Sequence, residues 1–188
     1  MAKASMGTSD RPRLSGPQLG SLIGAVAGAL FIVINAGGTG SAGPIRIVGI
    51  ALFLAAVFWG VVRAPEASPA QLSSDAGRIY RLSVVAEIVA IPLGAAVINN
   101  VLDRPELTVL WVVAVVGLHF LPFARAFDTT MYAWLGWAMI AIATCGIAAT
   151  LATGRDSTAA WFAVTAGIVV LGFCVVGPRL AATTARRS

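Results

Sequence analysis

The chain predicts an all-α integral membrane protein, with six transmembrane helices in three hairpins and both termini in the cytoplasm. Three observations predict it. Of 188 residues, 58% are hydrophobic and 11% charged, whereas an ordinary soluble domain carries roughly a quarter charged residues. The apolar residues gather in six stretches of about 20, the length that crosses a hydrocarbon core about 30 Å thick. The cations are distributed unequally between the two sides of those stretches.

Residues 1–17 (MAKASMGTSDRPRLSGP) are polar, basic and rich in Ser, Gly and Pro, the composition of a disordered cytoplasmic tail. A transmembrane domain over 18–178 follows, and 179–188 form a second cytoplasmic tail. Within the domain the expected spans are 18–36, 44–62, 79–101, 105–124, 131–152 and 159–177. Small residues (AGGTGSAG) follow the first span, as they follow a signal peptide. Its length and the even number of spans favour a retained helix.

Short cytoplasmic loops collect Lys and Arg. Lys3, Arg11, Arg13, Arg63, Arg78, Arg81, Arg125, Arg179, Arg186 and Arg187 fall on one side, and Arg46, Arg104 and Arg155 on the other. Ten against three places both termini inside. Trp59, Tyr80, Tyr132, Trp134 and Trp137 fall near inner ends and Trp111 and Trp161 near outer ends, as expected of aromatic belts at the headgroup level. Arg outnumbers Lys 12 to 1 and Ala is abundant, a composition that suggests a high-GC bacterial genome and hence the bacterial inner membrane. Outer loops as short as Asp103-Arg104-Pro105 leave little extracellular protein to bind anything large.

Each hairpin ends alike, with VFWGVVR63, HFLPFAR125 and FCVVGPR179. This pattern is either a threefold repeat of hairpins or the common requirement of inner helix ends for aromatics and a cation. In the first span Gly16, Gly20, Gly24 and Gly28 recur every four residues, which clears one helix face for close backbone approach. The face can pack within the chain or against a second copy or another membrane partner, and intrachain packing is favoured. The loop AGGTGSAG lacks the Lys and Ser/Thr of a phosphate-binding loop and reads as a linker.

The ionisable residues carry the functional question. Glu87 is the single acidic residue in the interior of a span, and His119 the single histidine of the chain. Such groups cost several kcal/mol in hydrocarbon unless paired or hydrated, so each is a site candidate. If the third and fourth spans turn near residues 103 and 104, residues at equal depth have numbers summing to about 207, and Glu87 lies opposite position 120. Carboxylate and imidazole then meet in the inner half of the membrane, as a pair able to exchange a proton near physiological pH. Ser83 and Tyr80, one and two turns before Glu87, extend a polar stripe inward. Pro92 and Pro122 each remove a helix hydrogen bond and can open backbone carbonyls. The competing reading is an inert staple that fixes helix register. Asn35, Asn99 and Asn100 lie at outer helix ends, where capping explains them.

Other chemistry is sparse. No HExxH, GxSxG or Walker-type sequence is present, one histidine and one buried carboxylate are too few metal ligands, and no catalytic residue or cofactor is expected. Cys145 and Cys174 read as small core residues. The pI of 10.2 does not indicate nucleic acid, because the cations lie scattered in loops and tails without interleaved aromatics. Arg125, Asp128, Thr129 and Thr130 read as a solvated helix boundary, and membrane lipid is the expected environment. The leading expectation is a small transporter or permeation protein. The alternatives are an accessory subunit associating through the glycine face and, last, an intramembrane enzyme.

The segment GLHFLPFARAF (Gly117 to Phe127), preceded by VVAEIVAIPLGAAVINN, resembles a group of small bacterial multi-pass membrane proteins in which a hairpin carries a GLHFLP-like sequence. The resemblance covers about 50 residues, from Tyr80 to Thr130. It implies a bacterial membrane protein of the same general fold and no activity.

Overall fold

The computed structural model describes residues 16–64, 74–126 and 129–185. The positions expected to form the N-terminal tail, including Lys3, Arg11 and Arg13, lie outside them, apart from its last two residues. Arg186, Arg187 and Asp128 also lie outside. The described residues form helices α1 (Gly16–Asn35), α2 (Ala42–Val57), α3 (Ser74–Asn100), α4 (Thr108–Ala126), α5 (Thr130–Thr153) and α6 (Asp156–Ala185), with no strand among them. Six are long and apolar enough to cross a membrane: Gln18–Thr39, Ala42–Val62, Asp75–Asn100, Pro105–Ala126, Thr130–Thr153 and Asp156–Arg179. The fold is therefore the expected all-α bundle with six candidate spans. The start of α1 and the end of α6 lie at one end of it, the terminal end.

The short turns at the opposite end close three hairpins. Between α1 and α2 a 3-10 turn, Ala36–Thr39, leads to Gly40 at φ 78°, a left-handed conformation that a Cβ would disfavour. Arg46 Nε donates to the Val33 carbonyl at 3.2 Å, an acceptor that the end of α1 leaves open, and Asn35 Nδ2 donates to the Phe31 carbonyl at 2.8 Å. Between α3 and α4, Thr108 Oγ1 donates to Asn99 Oδ1 at 2.9 Å. Asn100 Nδ2 donates to the Ala96 carbonyl at 2.8 Å. Gly154, at φ 62°, ends α5.

Helix α6 is the hub. It packs on α1, α2, α4 and α5, and half of its most apolar stretch is buried. Lipid is as apolar as a side chain, so close approach depends on small residues. A Cβ on Gly28 would lie 2.9 Å from the Gly167 carbonyl oxygen, and one on Gly167 would lie 2.5 Å from the Gly28 oxygen, so α1 and α6 meet backbone to backbone. Gly24 sits against Cys174 Sγ, which a Cβ would meet at 2.8 Å. The same reciprocal contact joins α4 to α5. A Cβ on Gly117 would lie 2.9 Å from the Gly136 oxygen, and one on Gly136 2.7 Å from the Gly117 oxygen. Two members of the glycine series, Gly24 and Gly28, thus face α6 within the chain. A Cβ on Gly20 would meet nothing within 4 Å, and Gly16 opens the helix.

A threefold repeat of equivalent hairpins would join α2 to α3 as it joins α4 to α5 and α6 to α1. Among the described residues α2 and α3 form no packed interface. Helix α3 rests on α4 and on the short turn before it (Pro105–Leu107), and none of its most apolar stretch is buried. It is an outrigger.

Candidate functional site

The α3 residues that turn toward α4 follow a helical stripe through Ser83, Glu87, Ala90, Gly94 and Ile98, which are partly or fully buried amid exposed Leu82, Val85, Ile88, Val89, Leu93 and Val97. Toward the closed end of the hairpin, Trp111 of α4 lies over Gly94. Any Cβ there would fall within the indole ring, and indole Nε1 donates to the Ala90 carbonyl at 3.0 Å. This clasp fixes the register of α3 on α4. It also gives Trp111 a partner on the neighbouring helix, beyond the position near a span end that the sequence suggested.

Two turns further toward the terminal end the register brings Glu87 to His119. Nδ1 of the imidazole lies 3.1 Å from Oε2 of the carboxylate. That nitrogen is buried and forms no aligned hydrogen bond, so the pair is in contact without the ring N–H being directed at the oxygen. The His119 side chain is 11% exposed and that of Glu87 25%. Because among the described residues α3 packs on α4 and on no other long helix, the open side of the carboxylate is at the rim of the interface, not in the hub.

Rings enclose the imidazole. Its centroid is 4.2 Å from that of Phe123 and 5.8 Å from that of Phe120, edge to face. Tyr80 of α3 stacks on Phe123 at 5.3 Å. Tyr132 of α5 lies parallel to Phe120 at 6.1 Å and edge-on to Phe123 at 6.3 Å. The structure thus brings Glu87, His119 and Tyr80 together, Tyr80 through its ring. Ser83 is half-buried on the same stripe and forms no hydrogen bond with Glu87 or His119. The aromatic shell, the clasp and the Gly117–Gly136 contact that seats α4 next to His119 were not anticipated. The spacing of Phe120 and Phe123, one and four residues after His119, was the available signal for the shell.

One carboxylate in contact with one imidazole can pass a proton across a distance typical of general acid–base partners. Among the described residues no group of three or more His, Cys, Asp or Glu side chains is placed to hold a metal ion. An apolar groove of about 240 Å³ lies elsewhere, between α1, α2 and α6, lined by Ile32, Val48, Leu52, Trp161 and Ile168 among others. It shares no residue with the pair. Comparison with protein-family models, with curated proteins and with solved structures finds no match to this chain.

Proposed function

We propose that the chain is a small transporter or permeation protein of the bacterial plasma membrane, with both termini cytoplasmic, in which Glu87 and His119 take up and release protons or contact a polar substrate. The observation that carries this reading is the 3.1 Å approach of the one carboxylate in the interior of a span, away from its ends, to the one histidine of the chain. A staple that only fixed register would duplicate what the Trp111–Gly94 clasp already does. An exposed rim on Glu87 suits a group that exchanges with its surroundings, and a helix resting on a single neighbour can shift at small cost in packing. The excess of cations on the terminal side supports the orientation.

The test is proton flux into proteoliposomes loaded with a pH-sensitive dye, under an imposed membrane potential. Glu87→Gln and His119→Ala should each abolish it. Dicyclohexylcarbodiimide, which enters lipid and modifies protonated carboxyls, should label Glu87 and block flux in the wild type alone. Unchanged flux in both variants excludes the role.

The second reading is an accessory subunit that meets a second copy or another membrane protein through α1. It is supported by Gly20, beside which a side chain would meet nothing. Gly20→Leu should then dissociate the complex in mild detergent without loosening the α1–α6 contact. An intact complex counts against it.

A further inference from the structure

At the terminal end, the motifs VFWGVVR and FCVVGPR converge on one place. The last turns of α2 widen into a π-helix, Phe58–Val62, because the Arg63 amide donates to the Phe58 carbonyl at 2.8 Å rather than to that of Trp59. The widening leaves carbonyls without their helical donors. Arg179 Nη2 supplies one, to the Trp59 oxygen at 3.2 Å, and Gln18 Nε2 supplies another, to the Val61 oxygen at 3.2 Å. Arg179 Nη1 also donates to the Val175 carbonyl of its own helix. Pro178 cannot donate to the Cys174 carbonyl, and Gly60 packs against that oxygen so closely that any Cβ would collide with it.

This backbone arrangement holds two guanidiniums on an aromatic pair. The guanidinium carbon of Arg179 is 5.7 Å from the Trp59 ring centroid, that of Arg63 is 5.5 Å from the Phe58 centroid, and the two rings meet edge to face at 5.2 Å. Guanidinium carries five N–H donors, and the two carbonyls leave Arg179 with donors to spare. Among the described residues the ion pairs are Arg104–Glu106 and Glu87–His119, so neither Arg63 nor Arg179 is neutralised by one of these carboxylates. Beside them Trp59 is 47% and Val62 66% exposed, which is a surface for hydrocarbon rather than for water.

We propose that Arg63, Arg179 and Trp59 form a binding site for the headgroup of an anionic phospholipid. The free guanidinium N–H groups bind the phosphodiester, whose two non-bridging oxygens their planar fork can meet. Trp59 sits at headgroup level, as indoles prefer, and the acyl chains run along the exposed face of Trp59 and Val62. A soluble phosphate offers the same charge but nothing for that apolar face.

Native mass spectrometry of the full chain, extracted from vesicles of mixed phosphatidylglycerol and phosphatidylcholine, tests the site. Phosphatidylglycerol adducts should survive on the wild type in preference to phosphatidylcholine. Arg63→Gln should lower their retention roughly fivefold, as expected for one cation at a charged membrane surface. Arg179→Lys, which keeps the charge and has three donors in place of five, should lower it less. Arg125→Gln, at the same end but on no aromatic pair, should leave it unchanged. Equal loss in Arg125→Gln would mean general surface charge and overturn the site. Unchanged retention in Arg63→Gln overturns it as well. Displacement of the adducts by millimolar inorganic phosphate would assign the site to a soluble anion and overturn the lipid.

Discussion

Replacing Trp111 with Phe and Gly94 with Ala separates the two parts of the clasp that holds α3 to α4. Trp111→Phe removes one hydrogen bond, of 3.0 Å, while the Ala90 oxygen keeps its place in the helix ladder. The expected cost is that of an interhelical hydrogen bond in a membrane, about 0.6 kcal/mol on average and up to about 1.7. Gly94→Ala puts a methyl group where the indole lies. The ring must leave, losing the same bond and its packing, for about 1–3 kcal/mol. In a Trp111→Ala background the methyl has no ring to displace, and the preference of helices for Ala over Gly, about 0.5–1 kcal/mol, then favours the substitution. The double-mutant cycle should therefore show a coupling of about 1.5–4 kcal/mol, the difference between that cost and that gain. Helix content followed through a dodecyl sulfate titration in mixed micelles gives each free energy. A Gly94→Ala cost that persists at full size without the indole would refute the clasp.

Other outcomes follow from the same contacts. Gly28→Leu and Gly167→Leu should each destabilise the protein by about 1–3 kcal/mol, because each forces α1 from α6, whereas Gly20→Leu should stay within about 0.5; the same titration ranks them. Gly60→Ala should cost about 1–3 kcal/mol through its collision with the Cys174 carbonyl. Glu87→Gln should fold with a loss below about 1 kcal/mol, since an interhelical contact in a membrane is worth little more, so its flux reports chemistry and not collapse. A lipid-soluble maleimide should label Cys145, which is exposed, and reach buried Cys174 only after denaturation; mass analysis of the two peptides reads the ratio.

The spans and the hairpin register were legible because membrane thickness and loop length dictate them. The rule that depths match when residue numbers sum to about 207 is met by Asn99 with Thr108 and within one residue by Glu87 with His119. Which helix lies inside was not legible. Helices α3 and α6 have similar mean hydropathy, 2.0 and 2.3, yet none of one stretch is buried and half of the other. In water a polar face marks the outside of a helix. In lipid the outside is as apolar as the core, so the amphipathic signal vanishes. The decisive residues are instead glycines in partnership, Gly28 with Gly167 and Gly117 with Gly136. A single glycine in a sequence gives no sign of its partner on a distant helix. The π-helical widening at Phe58–Val62 was equally hidden, since it depends on Gln18 and Arg179, 43 and 120 residues away from the carbonyls they reach.

The position of α6 at the hub has a consequence for how the protein is made. The helix against which α1, α2, α4 and α5 all pack leaves the ribosome after the other five. Until then the glycine notches of α1 have no partner, and the earlier hairpins must wait in the bilayer as loosely associated pairs. Completion of the packed core is then a late event, because α6 must be in place before α1, α2, α4 and α5 can close around it.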